Sequence, residues 1–535
     1  MRPMTSDPIQ GEAEAPSKFW VLLTTSLVSS LIMLDSNIVA VSLPAIGRSL
    51  GASFTDLQWV ISAYVLTYAS LLLASGGYAD LRGRKKSMLI GLAIFAVASA
   101  ACGLATNSLL LNLARAAQGV GGAFLVTASI AILTNAFTSA ERNEAFAFWG
   151  ASLGIALAVG PIIGGAITNF VGWRWAFLVS VPASAILVLA TLKFIGESRD
   201  VNAKRLDIAG TVTFSAGLAL LLWALIDGND AGWSSRSIIL RLAAAFVFLA
   251  AFVTVELRQD RPMVEFGLFR RRTFLGAVLA MIGYGASAQV MIFFLPLYLE
   301  NAYGFEPLSA GIAMIPFALP MVLAPRITRR LATRFSGRSL LAAGLAITVV
   351  GNAAFWLVGR SHLAYGVFLV AMVIAGCGAG LLNGQTVKVL QGAVPEDRAG
   401  TASGLASTTR FIGILVSVAA LGAILSDVAG ERFVAGAART GLAMDAVREE
   451  ATHVTSGDLA GLLAAAPAGA REALRSAALA AYRAGFASAA IVAAGIAFIA
   501  CLLAYGLISS QETAPVPQPL HAKMPCKVID CRDPL

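Results

Sequence analysis

The chain has 535 residues, of which 58% are hydrophobic and 13% charged, with a formal net charge of +9. A soluble domain carries about 25% charged residues, so a water-exposed globule of this size is excluded and the chain reads as an integral membrane protein. The cations lie in short loops between apolar runs and not on one polar face, which points away from nucleic acid and toward a bilayer.

Residues 1–18 are polar and acidic, and the apolar run that starts at Phe19 is too long for a signal-peptide core. They read as a cytoplasmic tail. A membrane span needs about twenty apolar residues. The first six spans are predicted near 19–43, 56–79, 87–106, 108–136, 144–168 and 175–194. Two more follow at 206–227 and 237–257, and the last six lie near 273–298, 307–325, 339–358, 363–386, 402–425 and 485–508. The expected class is an all-α membrane protein of about fourteen helices, with a loop at 426–484 on the outer side and a tail at 510–535.

Orientation comes from the turn Gly76–Leu89, whose Arg82, Arg84, Lys85 and Lys86 sit beside hydrocarbon-length segments. Such clusters stay on the cytoplasmic side. In that register Lys193, Lys204 and Arg205, then Arg270–Arg272, then Arg326–Arg338 also fall inside, and both termini are cytoplasmic. Gly91–Ile94 recurs as Gly344–Ile347 after the second basic loop, a weak repeat that favours two six-helix bundles, 19–195 and 273–509, around an insert at 206–257.

Charge inside a span is costly and marks candidate function. Asp35 lies about seventeen residues past Lys18, roughly 25 Å along a helix, and Arg115 about seven residues into an inward-running span, roughly 10 Å from the outer side. The depths overlap, so the two are expected to pair. The pair is either a proton or cation site or a structural tie between the first and fourth spans. Arg410 is placed near the inner end of its span as a snorkelling structural residue. Gly160-Pro161 with Gly164-Gly165 predicts a bend or a close helix contact.

No phosphate-binding loop, zinc-protease motif or cluster of catalytic residues is present, so no enzyme, metal or cofactor is expected. His362, His453 and His521 all fall outside the spans, and Cys526 and Cys531 match no zinc spacing.

These motifs together resemble the fourteen-span drug:proton antiporters of the major facilitator superfamily. The residues concerned are Gly77-Tyr-Ala-Asp80-Leu-Arg-Gly83-Arg84-Lys85, Leu34–Pro44 around Asp35, Arg115-Ala-Ala-Gln118-Gly119, Gly160–Gly165 and Gly172–Phe177. The resemblance implies that Arg115 is tied to proton transfer, and that Asp80 and Arg84, with Glu141, form an inner-face cluster latching the two bundles. Two positions and one segment depart from it. Ala156 stands where the antiporter motif has glycine, Thr333 replaces the acid of the second inner loop, and 307–325 carries no acid, which favours neutral, monocationic or amphiphilic cargo.

The expected function is proton-coupled efflux of small amphiphilic molecules across a bacterial cytoplasmic membrane by alternating access. The proton gradient would be the energy source, and nothing indicates a periplasmic adaptor. Tyr64, Tyr68, Phe124, Met281, Tyr284 and Met291 are the expected cargo-lining side chains. The alternatives are an exporter dedicated to one metabolite or antibiotic, and a non-transporting sensor or scaffold built around the loop at 426–484.

Overall fold

The computed structural model describes residues 18–200, 207–259, 264–361, 364–394, 399–437, 454, 462–463 and 470–513. The tails, the three histidines and Cys526 and Cys531 lie outside them. All regular elements among the described residues are helical, as expected where hydrocarbon leaves backbone polar groups no partner but the chain itself.

Among the described residues, fourteen helices are long and apolar enough to cross a bilayer. They are α1 (Lys18–Leu50), α2 (Phe54–Arg82), α3 (Arg84–Gly103), α4 (Ser108–Ala136), α5 (Ser139–Phe170), α6 (Arg174–Phe194), α7 (Ile208–Ala231), α8 (Arg236–Arg258), α9 (Arg272–Tyr303), α10 (Pro307–Leu331), α11 (Gly337–Ser361), α12 (Tyr365–Gly392), α13 (Ala399–Ala437) and α14 (Arg471–Leu507). Local chemistry sets several ends. Ser53 and Asp56 cap α2 reciprocally, and Asn107 Oδ1 accepts from Leu110 N at the start of α4. Gly83, at φ 113°, makes the sharp α2–α3 turn.

Every expected span has its helix. The main difference is at the long loop, because α13 runs on to Ala437 and α14 starts at Arg471. These extensions help build a small apolar cluster of Phe433, Ala437, Val454, Leu462, Leu474, Ala478 and Ala481. Both ends of the segment 426–484 are thus continuations of the flanking spans.

Helices α1–α6 pack on one another as one group and α9–α14 as a second, while α7 and α8 pair together and α7 rests on both α2 and α13. The two groups meet through α5 with α10, α2 with α13, and α1 with α9. The polar ties across that boundary gather at the end opposite the Gly76–Leu89 turn. Gln58 Nε2 donates to Val418 O (2.9 Å), and Arg48 reaches Glu300 at 3.8 Å. The insert spans the same boundary: Thr55 Oγ1 donates to Asp230 Oδ2 (2.8 Å), and Asn229 Nδ2 to Ala423 O (2.6 Å).

Candidate functional site: a buried ion pair beside an aromatic ladder

Asp35, on α1, and Arg115, on α4, form an ion pair of 2.8 Å with side chains 0% and 2% exposed. Burying two charges costs several kcal/mol per ion unless every remaining lone pair and proton is used. Here they are nearly all used. Gln118 Nε2 donates to Asp35 Oδ1 (2.7 Å) and to Ser99 Oγ (2.9 Å), while Gln118 Oε1 accepts from Arg115 Nη1 (2.6 Å). Arg115 Nε donates to Val60 O (3.0 Å), and the guanidinium lies over the Tyr64 ring at 4.2 Å. One carboxyl therefore holds together α1, α2, α3 and α4. Gln118 sits three residues from Arg115, on the same helix face. That spacing was its signal in the sequence; Ser99 gave none.

Tyr64 thus forms part of the ion-pair site. From it a stack of rings continues, with Tyr64 to Tyr68 at 6.0 Å and Tyr68 to Phe411 of α13 at 4.6 Å. Of the other residues expected to face cargo, Tyr284 is fully buried with its hydroxyl unpartnered among the described residues. Phe124 is half-buried and meets Tyr78 edge-on at 5.4 Å. Met281 and Met291, both on α9, are enclosed, at 0% and 1% exposure.

At the α2–α3 turn, Arg84 Nη2 pairs with Asp80 Oδ1 at 2.9 Å. Gly77 lies in the last turns of α2. Glu197 accepts from the backbone N–H groups of Lys85 and Lys86 (3.1 and 3.2 Å), a carboxylate at a helix N-terminus. A Cβ on Gly83 would meet that carboxylate at 2.6 Å, a flexible side-chain end that can shift, so it is φ that reserves the position for glycine. Lys85 Nζ donates to Leu192 O (2.9 Å), and Arg84 N to Ser198 O (2.9 Å). These partners come from α2, from α6 and from the segment just after α6.

The expected cluster of Glu141 with Asp80 and Arg84 does not form. Glu141 instead takes both bonds from Lys18 Nζ (2.8 and 2.7 Å) and caps α5 at Thr138. Lys18 and the Thr138 hydrogen bonds pull its carboxyl down to about 2. The reason is local: Thr138 and Glu141 form a capping box, which fixes the carboxylate on its own helix.

The Gly160–Gly165 motif serves two neighbours. A Cβ on Gly160 would meet Asn37 Cβ at 2.6 Å, and one on Gly164 would meet Ile38 Cα at 2.7 Å, both on α1. Gly165 instead abuts Pro307 O of α10, and Gly311 of α10 abuts Pro161 O. Pro161 lies within an unbroken α5. The motif is therefore the place where one helix grips its own bundle and the opposite one.

Glu300 and Arg48 carry no signal of their own in the sequence. Glu300 lies beyond residue 298, the expected end of the ninth span; α9 in fact continues to Tyr303 and encloses the carboxyl at 3% exposure.

The family model of the Major Facilitator Superfamily matches residues 25–418. The chain belongs to the Major Facilitator Superfamily. It is 34% identical over 406 residues to the multidrug resistance protein Stp of Mycobacterium tuberculosis, covering 76% of this chain and 75% of that one. It is 31% identical over 485 residues to the multidrug efflux pump LfrA of Mycolicibacterium smegmatis, covering 90% and 94%. A third relative is the tetracenomycin C resistance and export protein of Streptomyces glaucescens, 30% identical over 440 residues and covering 80% and 81%. Among solved structures, a bacterial homologue of the lysosomal transporter Spinster matches with TM-score 0.62 at 19% identity, covering 94% of this chain and 99% of that one. That likeness concerns the fold alone.

Proposed function

We propose that this superfamily member is a proton-driven exporter of small amphiphilic, drug-like molecules. It would work in a bacterial cytoplasmic membrane, with both termini and the basic turns in the cytoplasm. The observation that carries the reading is the Asp35 carboxyl, enclosed within a span and engaged by Arg115 and Gln118. The Stp, LfrA and tetracenomycin export relatives support the export direction and the class of cargo.

The polar ties between the bundles lie at the end away from the basic turns, which supports taking that end as the closed one, with cargo entering from the cytoplasm. Protonating Asp35 removes one charge of a buried pair and leaves Arg115 uncompensated. That state favours a different helix arrangement, and the proton shifts the population toward it. A membrane potential of 100 mV supplies about 2.3 kcal/mol per charge moved, roughly a fifty-fold bias. The reading needs no cofactor, adaptor or chemical step at the site.

The test uses proteoliposomes with a pH gradient and a panel of unrelated amphiphiles. Cargo-dependent proton flux supports the exporter, and its absence for every compound rejects it. A panel in which one chemical class alone moves protons identifies a dedicated exporter.

A further inference from the structure

Arg410 differs from the expected snorkelling residue. It lies about eleven residues past the start of α13 at Ala399, roughly 16 Å along the helix. Tyr284 lies about twelve residues past Arg272 on α9, roughly 18 Å, and Tyr68 about fourteen before Arg82 on α2, roughly 21 Å. All three lie eleven or more residues from those helix ends, well inside their spans. Phe411, next to Arg410 on α13, meets the Tyr68 ring of α2 at 4.6 Å, so this part of α13 touches the first bundle. The backbone carbonyl of Arg410 abuts Gly285, the first residue of a π-helical turn (Gly285–Gln289) that follows Tyr284 directly. Such turns interrupt the regular helix and recur at functional sites.

The guanidinium has no carboxylate within 4 Å among the described residues, and its buried Nε has no hydrogen-bond partner. Phe411 covers one face, at 4.9 Å. A ring over the face leaves the in-plane N–H donors unused, and an arginine presents five of them in a fork that suits a carboxylate. Arg115, the other arginine of this aromatic ladder, is fully neutralised; Arg410 is not. An unpaired guanidinium at such a depth is expensive and marks a ligand path. The fully buried hydroxyl of Tyr284, the residue before Gly285, is a second donor without a partner among the described residues.

We propose that Arg410, flanked by Tyr68 and Tyr284, is a subsite for a carboxylate on the exported molecule. The cargo class becomes amphiphilic organic acids, where the sequence reading favours neutral, monocationic or amphiphilic cargo. The proposal rests on the exporter reading for its meaning but is tested by binding alone. The ladder Arg410–Phe411–Tyr68–Tyr64–Arg115 also places this subsite one ring stack away from the Asp35 site.

The experiment is equilibrium dialysis of the full-length protein in detergent with 9-anthracenecarboxylate and its uncharged methyl ester. The wild type should bind the carboxylate about tenfold more tightly than the ester. Arg410→Gln should erase that preference and leave ester affinity within about twofold, because the aromatic surroundings persist. Arg410→Lys, which keeps the charge and loses the fork, should retain some of the preference, and it carries the comparison if Arg410→Gln is not monodisperse. Equal affinities in the wild type, or an undiminished preference in Arg410→Gln, overturns the subsite. An absence of cargo-driven proton flux would instead reject the exporter reading and leave the binding result standing.

Discussion

Arg115 Nη1 lies 2.8 Å from Asp35 Oδ2 and 2.6 Å from Gln118 Oε1, so a single nitrogen serves both the acid and the amide that supports it. Removing one partner of a buried pair leaves an uncompensated charge, at a cost of about 3–5 kcal/mol, whereas removing both is often close to neutral. Asp35→Asn is therefore expected to lower thermal stability clearly, and Asp35→Asn combined with Arg115→Gln to recover most of the loss. Transport should stay absent in both. A double variant no more stable than the single one would show that the pair is not the coupled unit described.

The end of the molecule away from the basic turns is closed by α2 against α13. Gln58 is buried there, and its side chain abuts Gly422. The pair Gln58→Cys with Gly422→Cys should form a disulfide under oxidation, lock the bundles together and abolish transport, with activity returning on reduction. Transport that continues with the cross-link in place would mean that this end does not open.

Neighbouring glycines in α5 should separate packing from movement. Gly164 faces α1 in its own bundle, and Gly165 faces α10 in the other. Gly164→Val should cost about 1–3 kcal/mol of stability by overpacking. Gly165→Val should instead push the bundles apart, so that Gln58→Cys in that background reacts faster with a membrane-impermeant maleimide. Equal labelling with and without Gly165→Val would place the moving contact elsewhere.

Glu141 is predicted to be a capping residue with no role in the latch. Its folded-state carboxyl, near 2, lies below the ordinary 4.5. A depressed value contributes stability that is full above the ordinary value and is lost as pH falls through the folded one. The melting difference between wild type and Glu141→Gln should accordingly be constant above pH 4.5 and vanish as pH approaches 2. Both partners are about half exposed, so the difference should be small and fall with salt. Transport near neutral pH should change less than about twofold. A much larger loss would return Glu141 to the gating machinery.

The spans are legible in the sequence because hydrocarbon thickness imposes a minimum apolar length on every span, and Asp35 and Arg115 because charge inside a span is rare. Their pairing follows from depth alone. Other features are not legible. Resemblance assigns Glu141 to a latch, while its own capping box, visible as Thr138-x-x-Glu141, decides its geometry. Arg410 reads as shallow because the apolar run around it begins later than its helix. Glu300 is hidden by an expected span end five residues short of Tyr303. The partners of Gly160, Gly164 and Gly165 cannot be told apart in the sequence, because glycine leaves no side chain to show which neighbour it admits.

The central claim is that Asp35 carries the proton exchanged for cargo. The most direct measurement is proton release from the detergent-purified protein on adding a compound that the wild type exports. The wild type should acidify a weakly buffered solution in a saturable manner, and Asp35→Asn, still binding the same compound, should release none. Undiminished proton release from Asp35→Asn would contradict the account and move the coupling site to another carboxylate.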